Sequence, residues 1–400
     1  MTTVAELPYL AVEDPGFNED PYGVIRPIQA KSPLARNHAG IELLSYQACR
    51  ELLDKQDTTL DMSYLGRPMG IHDGRAHQFL KESFTSKNGP DNLKIRKAIL
   101  PYYSPNRLMQ FREGVRAKVR GMIEAAREDD VVDFAPIAQQ LPSRMAAAMM
   151  GAPDSDWPRV DKVSSTALKL FTMDPANREE AVAGILDSEQ YARELIELNR
   201  QDPGKDNFVQ ALLKAKDDGR LSDDEVVFTV STMLQGSVDT TQAQLASMVV
   251  LFAQHPDQWR HVQDDPELIK NAVVEASRYY PTIWRFARFA VAGGAEVANV
   301  KVEEESTLFL SVLAANRDPS VFGETANEFN VTVERPRPPL NWGLGVHFCP
   351  GRHLSIMEME ETLRVLIEDY ESIEMVKPMI TRGAPDVIVV SEALLRLNRG

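Results

Sequence analysis

The chain has 400 residues, 43% of them apolar and 26% charged, with 25 Pro and 22 Gly, a composition that can bury a sizeable core and carries no low-complexity bias. A formal net charge of -15 argues against nucleic acid or an anionic membrane as the main partner, because the average field repels phosphate. The two cysteines, Cys49 and Cys349, lie far apart and make neither a disulfide framework nor a paired-cysteine zinc site.

The N-terminus carries Glu6, Glu13, Asp14, Glu19 and Asp20 without a basic start, and apolar runs such as Met248 to Ala253 fall well short of the roughly 18 residues of a membrane span. These features predict a cytoplasmic chain with no membrane segment. The first ninety residues read as mixed short elements ending in a loop of turn formers: Gly66, Pro68, Gly70, Gly74, Gly89 and Pro90. Ser104-Pro105 then opens a helix along which Leu108, Phe111, Val115, Val119, Met122 and Ala126 recur at three- and four-residue steps. A basic cluster, Lys94, Arg96, Lys97, Arg107, Arg112, Arg116, Lys118 and Arg120, overlaps this region.

Ser222 and Glu225 form a capping box that starts a helix predicted to run unbroken to His255, about 50 Å at 1.5 Å per residue. Asp265-Pro266-Glu267 opens another helix, which Pro281 closes. Short strands follow, then a long irregular stretch over 312–348, then a last helix from about Gly351 to Tyr370. No internal repeat or flexible linker is visible. The prediction is one domain over 1–400, mostly α with a smaller β-rich part: strands mainly within 20–60, 285–311 and 375–398, helices mainly within 93–280 and 351–372.

The segment Asn341-Trp342-Gly343-Leu344-Gly345-Val346-His347-Phe348-Cys349-Pro350-Gly351 leads into that last helix. A cysteine at a helix start sits in the positive end of the helix dipole, which favours the thiolate and suits it to a metal. Gly343, Gly345 and Gly351 permit backbone conformations and close approach that a side chain blocks. Taken alone, the alternative is a buried, inert cysteine beside a turn.

The whole segment resembles the haem-binding loop of the cytochrome P450 family, whose form is Phe-Gly-x-Gly-x-His-x-Cys-x-Gly; every fixed position matches except that Trp342 stands for Phe. The resemblance implies the cytochrome P450 fold, with a long central helix over haem b (iron protoporphyrin IX) and Cys349 as the thiolate ligand. It also implies that His347 helps hold a haem propionate and that Trp342 packs near the thiolate.

Three further groups of residues carry the resemblance. Glu275 and Arg278 lie three apart on one helical face, which alone indicates no more than an exposed pair; within the family pattern they become a buried brace for the haem loop, joined by Arg335. Gly236-Ser237-Val238-Asp239-Thr240-Thr241 places glycine and hydroxyl residues at mid-helix, against propensity; the plain reading is helix packing with polar side chains bonded to the preceding turn. By resemblance it is the oxygen-activation motif, in which Thr240 hydrogen-bonds dioxygen, Asp239 relays protons and Gly236 shapes the groove. Arg288 and Arg96, each unremarkable as a surface arginine, match the propionate-binding arginines, while Asn92 takes the place of the usual histidine.

The implied reaction is insertion of one oxygen atom from O2 into a small apolar organic substrate, by hydroxylation or oxidative dealkylation. Electrons come from a separate ferredoxin or flavodoxin and its reductase, docked against the basic cluster and Arg352. Substrate contacts are expected from the 61–91 loop and from Phe171, Val238, Ile283, Trp284 and Val389, with core packing the alternative for Trp284 and Phe171. A monomer is expected. The rival readings are a peroxygenase or nitric oxide reductase of the same family and, outside it, a haem-free helical binding protein.

Overall fold

The computed structural model describes residues 3–54, 58–384 and 387–400. Residues 55–57 and 385–386, which fall inside two of the predicted strand-rich stretches, lie outside the described residues.

The main helices are α1 (Gly89–Ile99), α2 (Arg112–Ala126), α3 (Phe134–Met150), α4 (Trp157–Ala167), α5 (Arg178–Arg200), α6 (Asp223–Gly236), α7 (Asp239–Gln254), α8 (Ile269–Tyr279) and α9 (Arg352–Asp369). Two positions of the period read from sequence, Val115 and Val119, are buried as α2 packs against α9; the third buried position is Ile123, while Met122 is only half-buried and Ala126 is exposed. Its start differs. Ser104 donates its hydroxyl back to the Pro101 carbonyl at 2.8 Å and caps nothing, so a short helical turn at Pro105–Leu108 and a 3-10 turn precede α2. The predicted 61–91 loop also contains helices, at Ser63–Gly66 and Gly74–Glu82, because Ala76, Phe79 and Leu80 are buried with Leu170, Ile185 and Phe228. That burial outweighs the local turn preferences.

The strands are β1 (Leu34–Arg36), β2 (Ile41–Leu43), β3 (Thr58–Thr59), β4 (Val131–Asp133), β5 (Arg285–Ala290), β6 (Ala295–Val297), β7 (Val300–Val302), β8 (Thr307–Ser311), β9 (Ser372–Met375), β10 (Ile380–Ala384), β11 (Val387–Glu392) and β12 (Leu394–Asn398). A five-stranded sheet has the order β1-β2-β8-β5-β3, and a three-stranded one the order β4-β12-β9; β6-β7 and β10-β11 are hairpins. The parallel pairing of Ile41 with Leu308 and Leu43 with Leu310 fastens the N-terminal region to the C-terminal half. One large apolar cluster joins α2, α3, α7, α8 and α9, and a second lies over the five-stranded sheet. Among the described residues no helix is long and apolar enough to cross a membrane.

The expected single helix from Ser222 to His255 is two. The capping box forms, with Glu225 N donating to Ser222 Oγ at 3.2 Å and Ser222 N donating to the Glu225 carboxylate at 3.0 Å. The helix then breaks at Ser237 and Val238 and resumes as Gln242 N reaches the Val238 carbonyl at 2.8 Å. Glycine at 236 weakens the helix, and the Ser237 hydroxyl bonds back to the Met233 carbonyl, the competition that disfavours serine inside helices.

Candidate active site

The loop before α9 is shaped by two glycines in the left-handed region, Gly343 (φ 66) and Gly345 (φ 63), which L side chains rarely adopt. It closes on itself where Cys349 N donates to the Trp342 carbonyl at 2.8 Å. Gly351 has an ordinary φ, and a Cβ there would stand 3.8 Å from the Cys349 sulfur, so its backbone places no such demand. The Arg352 guanidinium sits over the rings of Trp342 and Phe348, 5.3 Å and 5.8 Å from their centroids.

Burial pushes the Cys349 thiol pKa up, while the backbone N–H groups of Gly351 and Arg352 and the charge of Arg96 pull it down. The helix start therefore provides the expected N–H donors, but not the expected net lowering. Cys49 differs: it is wholly buried, donates to the Leu43 carbonyl at 3.3 Å, and burial raises its thiol strongly. Among the described residues no three His, Cys, Asp or Glu side chains come together. Cys349 is thus a lone protein donor, as suits a metal whose other ligands belong to an organic ring.

Arg96 on α1 and Arg288 on β5 are each only 6% exposed, and no carboxylate of the described residues pairs with either. Arg96 Nε donates to Asn92 Oδ1 at 2.7 Å, and Arg288 Nη1 to the Ala287 carbonyl at 3.1 Å. Burial lowers the Arg96 pKa and brings that of Arg288 to about 10. Two buried guanidinium groups without an anion are costly unless an anionic ligand completes the site. His347 lies in the field of both and, chiefly through burial, is pushed down to about 3. Its Nε2 is 2.8 Å from Asn88 Oδ1, a partner that nothing in the sequence singles out. Asn92 is fully buried, bonded to Arg96 and the Phe84 carbonyl, so it positions Arg96 rather than facing a ligand itself.

Glu275 accepts from Arg278 (Nε 2.7 Å, Nη2 2.8 Å) and from Arg335 (Nη2 2.6 Å, Nε 3.1 Å), all three side chains being buried. Arg278 also donates to the Asn316, Ala326 and Glu328 carbonyls, which ties α8 to the irregular stretch before the cysteine loop. Both guanidinium groups hold the Glu275 carboxyl below its usual range despite its burial.

At the break between α6 and α7, a Cβ added to Gly236 meets nothing within 4 Å. Thr240 is half-buried; its Oγ1 donates to the Gly236 carbonyl at 3.4 Å, and its own carbonyl accepts from Thr282 Oγ1 at 3.2 Å, three residues before β5 begins. Asp239 is 4% exposed and accepts from Ser164 of α4. Burial raises its carboxyl to about 6, with Asp161 adding to the effect. Ser164 lies 75 residues away in the sequence, and no motif marks it.

The expected substrate contacts separate. Val238 is wholly buried within the large apolar cluster. Trp284 is partly buried against both that cluster and a smaller one around Leu10, Ile25 and Leu313. Phe171 is half-buried in a 3-10 turn (Leu168–Thr172) that meets β10, whose Arg382 pairs with Val389; Ile283 bridges to Val387. These three therefore belong to neighbouring segments.

The basic cluster is largely neutralised within the chain. Lys94 pairs with Glu225, Arg107 with Asp206, Arg112 with Glu360 and Glu361, Arg116 with Glu361, Lys118 with Asp154, and Arg120 with Glu368 and Asp369.

Residues 144–393 match the family model described as Cytochrome P450. The chain is 30% identical over 364 residues to luteothin monooxygenase of Streptomyces thioluteus, covering 90% of this chain and 89% of that one. It is 32% identical over 302 residues to nocardicin C N-oxygenase of Nocardia uniformis subsp. tsuyamanensis, 74% of each. The crystal structure of CalO2 superposes with a TM-score of 0.89 at 19% identity, over 97% of this chain and 98% of that one, which shows the shared fold.

Proposed function

The chain belongs to the cytochrome P450 family and is a monooxygenase of that family, and from that premise we propose that it inserts one oxygen atom from O2 into a small apolar organic substrate, using haem b held by the Cys349 thiolate. The family implies a cysteine-ligated haem and the use of O2 with redox partners. The observation that carries the cofactor assignment is the pair of buried guanidinium groups of Arg96 and Arg288, neither paired with a carboxylate among the described residues, with Arg96 in the field of the Cys349 sulfur. A flat ring bearing a central metal and two carboxylates satisfies both requirements at once.

In this reading Arg96, Arg288 and His347 would hold the two propionates, with Asn92 and Asn88 orienting Arg96 and His347. The left-handed turns at Gly343 and Gly345 would let the loop backbone approach the group closely. When bound, the haem supplies the one-electron chemistry that activates dioxygen and delivers an oxygen atom to the substrate. Thr240 presents its hydroxyl at the open side of the helix break and donates a proton there through Oγ1. Asp239, with a carboxyl whose pKa lies near neutrality, takes a proton from the far side and passes it toward that hydroxyl. Phe171, Ile283 and Val389 supply apolar walls that exclude water. Relatives named for the oxidation of luteothin and of nocardicin C support an organic small-molecule substrate. A separate ferredoxin or flavodoxin with its reductase delivers the electrons, and the protein acts as a monomer.

The test is the absorption spectrum of the purified protein, reduced and treated with carbon monoxide, beside Cys349→Ala. A strongly red-shifted Soret band lost in the variant is expected, and a wild-type protein that takes up no haem overturns the assignment. Product formed with reduced partner and O2, set against peroxide alone, decides between monooxygenase and peroxygenase action.

A further inference from the structure

The helix break leaves the Gln235 carbonyl without the backbone N–H it would have met in a continuous helix. Ser164, wholly buried on α4, reaches it: Oγ stands 2.9 Å from Gln235 O and is hydrogen-bonded to Asp239 Oδ2 as well. A serine hydroxyl has one proton to give and lone pairs to accept with. It cannot donate to a carbonyl and to a carboxylate at the same moment.

We infer that Ser164 is a positioning residue that reverses its hydrogen bond with the charge of Asp239, so that the buried acid can take up and release a proton without moving. With Asp239 ionised, the Ser164 hydroxyl donates to Oδ2, and the Gln235 carbonyl goes without it. When a proton arrives on Asp239, the new O–H donates to Ser164 Oγ, and the serine hydroxyl turns about its Cβ–Oγ bond to donate to Gln235 O. Ser164 gains and loses no proton overall; the proton on Asp239 comes from solvent and leaves toward Thr240. Each state keeps the carboxyl hydrogen-bonded, which a buried acid that changes charge requires. This rests on the proposed proton-relay role of Asp239 for its place in the reaction, though the switch is a property of the side chains themselves.

The groups that face Asp239 are few. On α4, Asp161 lies one turn before Ser164; its carboxyl is raised by burial, one of its oxygens is buried without a partner, and its negative charge adds to that of Asp239. No cation pairs with Asp239 among the described residues, so the serine hydroxyl is its charge-stabilising partner.

The experiment follows the Asp239 carboxyl band by infrared difference spectroscopy of the haem-loaded protein across pH, with Asp239→Asn to assign it. In the wild type the band should titrate near pH 6. In Ser164→Ala the ionised form loses the stronger, charge-assisted bond, so the midpoint should rise by roughly one pH unit, and the protonated band should move to higher frequency. Ser164→Thr should restore both. An unmoved midpoint in Ser164→Ala, or a threonine variant that behaves like alanine, overturns the switch; if the alanine variant does not fold, Ser164→Cys, a weak donor of similar size, is read by the same band with the same expected direction. Product per electron in Asp239→Asn is measured separately: full coupling there overturns the relay role while leaving the infrared result for Ser164 intact.

Discussion

Arg278 donates two hydrogen bonds to Glu275 from one turn further along the same helix, and both side chains are completely excluded from solvent. The pair is geometric before it is energetic. Burying two charges costs about as much as their attraction returns, yet the same guanidinium also satisfies three backbone carbonyls of the segment leading to the cysteine loop. Its consequence is fixed placement of that segment.

Removing the anion should therefore be severe. Glu275→Ala leaves Arg278 and Arg335 buried without a counter-charge and should cost about 3–5 kcal/mol, with loss of bound haem in parallel. Urea unfolding followed by circular dichroism and by haem absorbance measures both; a change under about 1 kcal/mol would show that the triad is dispensable.

Arg96 and Arg288, which pair with no carboxylate among the described residues, should govern cofactor retention more than fold stability. Arg288→Ala or Arg96→Ala removes a charge-assisted donor of about 1.5–3 kcal/mol, so haem should transfer to an excess haem acceptor at least roughly tenfold faster. Apoprotein stability should hold or rise, because each variant relieves a buried unpaired cation. A slower transfer than in wild type is incompatible with propionate binding.

Thr240→Ala should keep substrate binding and haem spectra while product formed per electron consumed drops by roughly tenfold or more, since proton delivery by a positioned group contributes about 100-fold or more to such steps. The measurement is oxygen, reductant and product balance in one reaction. Coupling equal to wild type would take Thr240 out of the mechanism.

The carboxyl of Asp239 is raised from 3.8 to about 6 in the folded chain. The folded state thus binds this proton more tightly than the unfolded state. The stability it contributes is fully present below pH 3.8 and is lost as pH rises through about 6. Relative to wild type, Asp239→Asn should therefore gain stability on going from about pH 4 to about pH 8, by up to about 3 kcal/mol at roughly 1.36 kcal/mol per pKa unit. Paired urea titrations at the two pH values give the difference, and a gain in the opposite direction contradicts the burial of a charged Asp239.

Because the basic residues from Lys94 to Arg120 are mostly engaged by the chain's own carboxylates, long-range steering of an acidic electron donor should be weak. The rate of first-electron transfer should change less than about threefold between low and physiological ionic strength, where steered partners change far more. Stopped-flow reduction under carbon monoxide reads it directly.

Local chemistry is legible without a structure. Gly343 and Gly345 announce their left-handed turns, Ser222 and Glu225 their capping box, and the spacing of Val115 and Val119 the buried face of α2, though not its third member, Ile123, because each depends on residues within one or two turns of chain. The cysteine loop, the Glu275–Arg278 pair and the Asp239-Thr240 pair are readable for the same reason, each being a motif short enough to be seen in line.

What the tertiary structure alone decided depends on partners far apart in the chain. A break between α6 and α7 is weakly signalled by Gly236 and Ser237, but its tolerated cost depends on Ser164 meeting Gln235 and Asp239 from another helix. The helices at Ser63–Gly66 and Gly74–Glu82 exist because burial against Phe228 and Leu170 outweighs turn propensity. Val238 turns inward and the basic cluster is neutralised for the same reason: side-chain direction and charge pairing are set by what packs opposite, and spacing along the sequence carries no information about a surface 75 or 249 residues away.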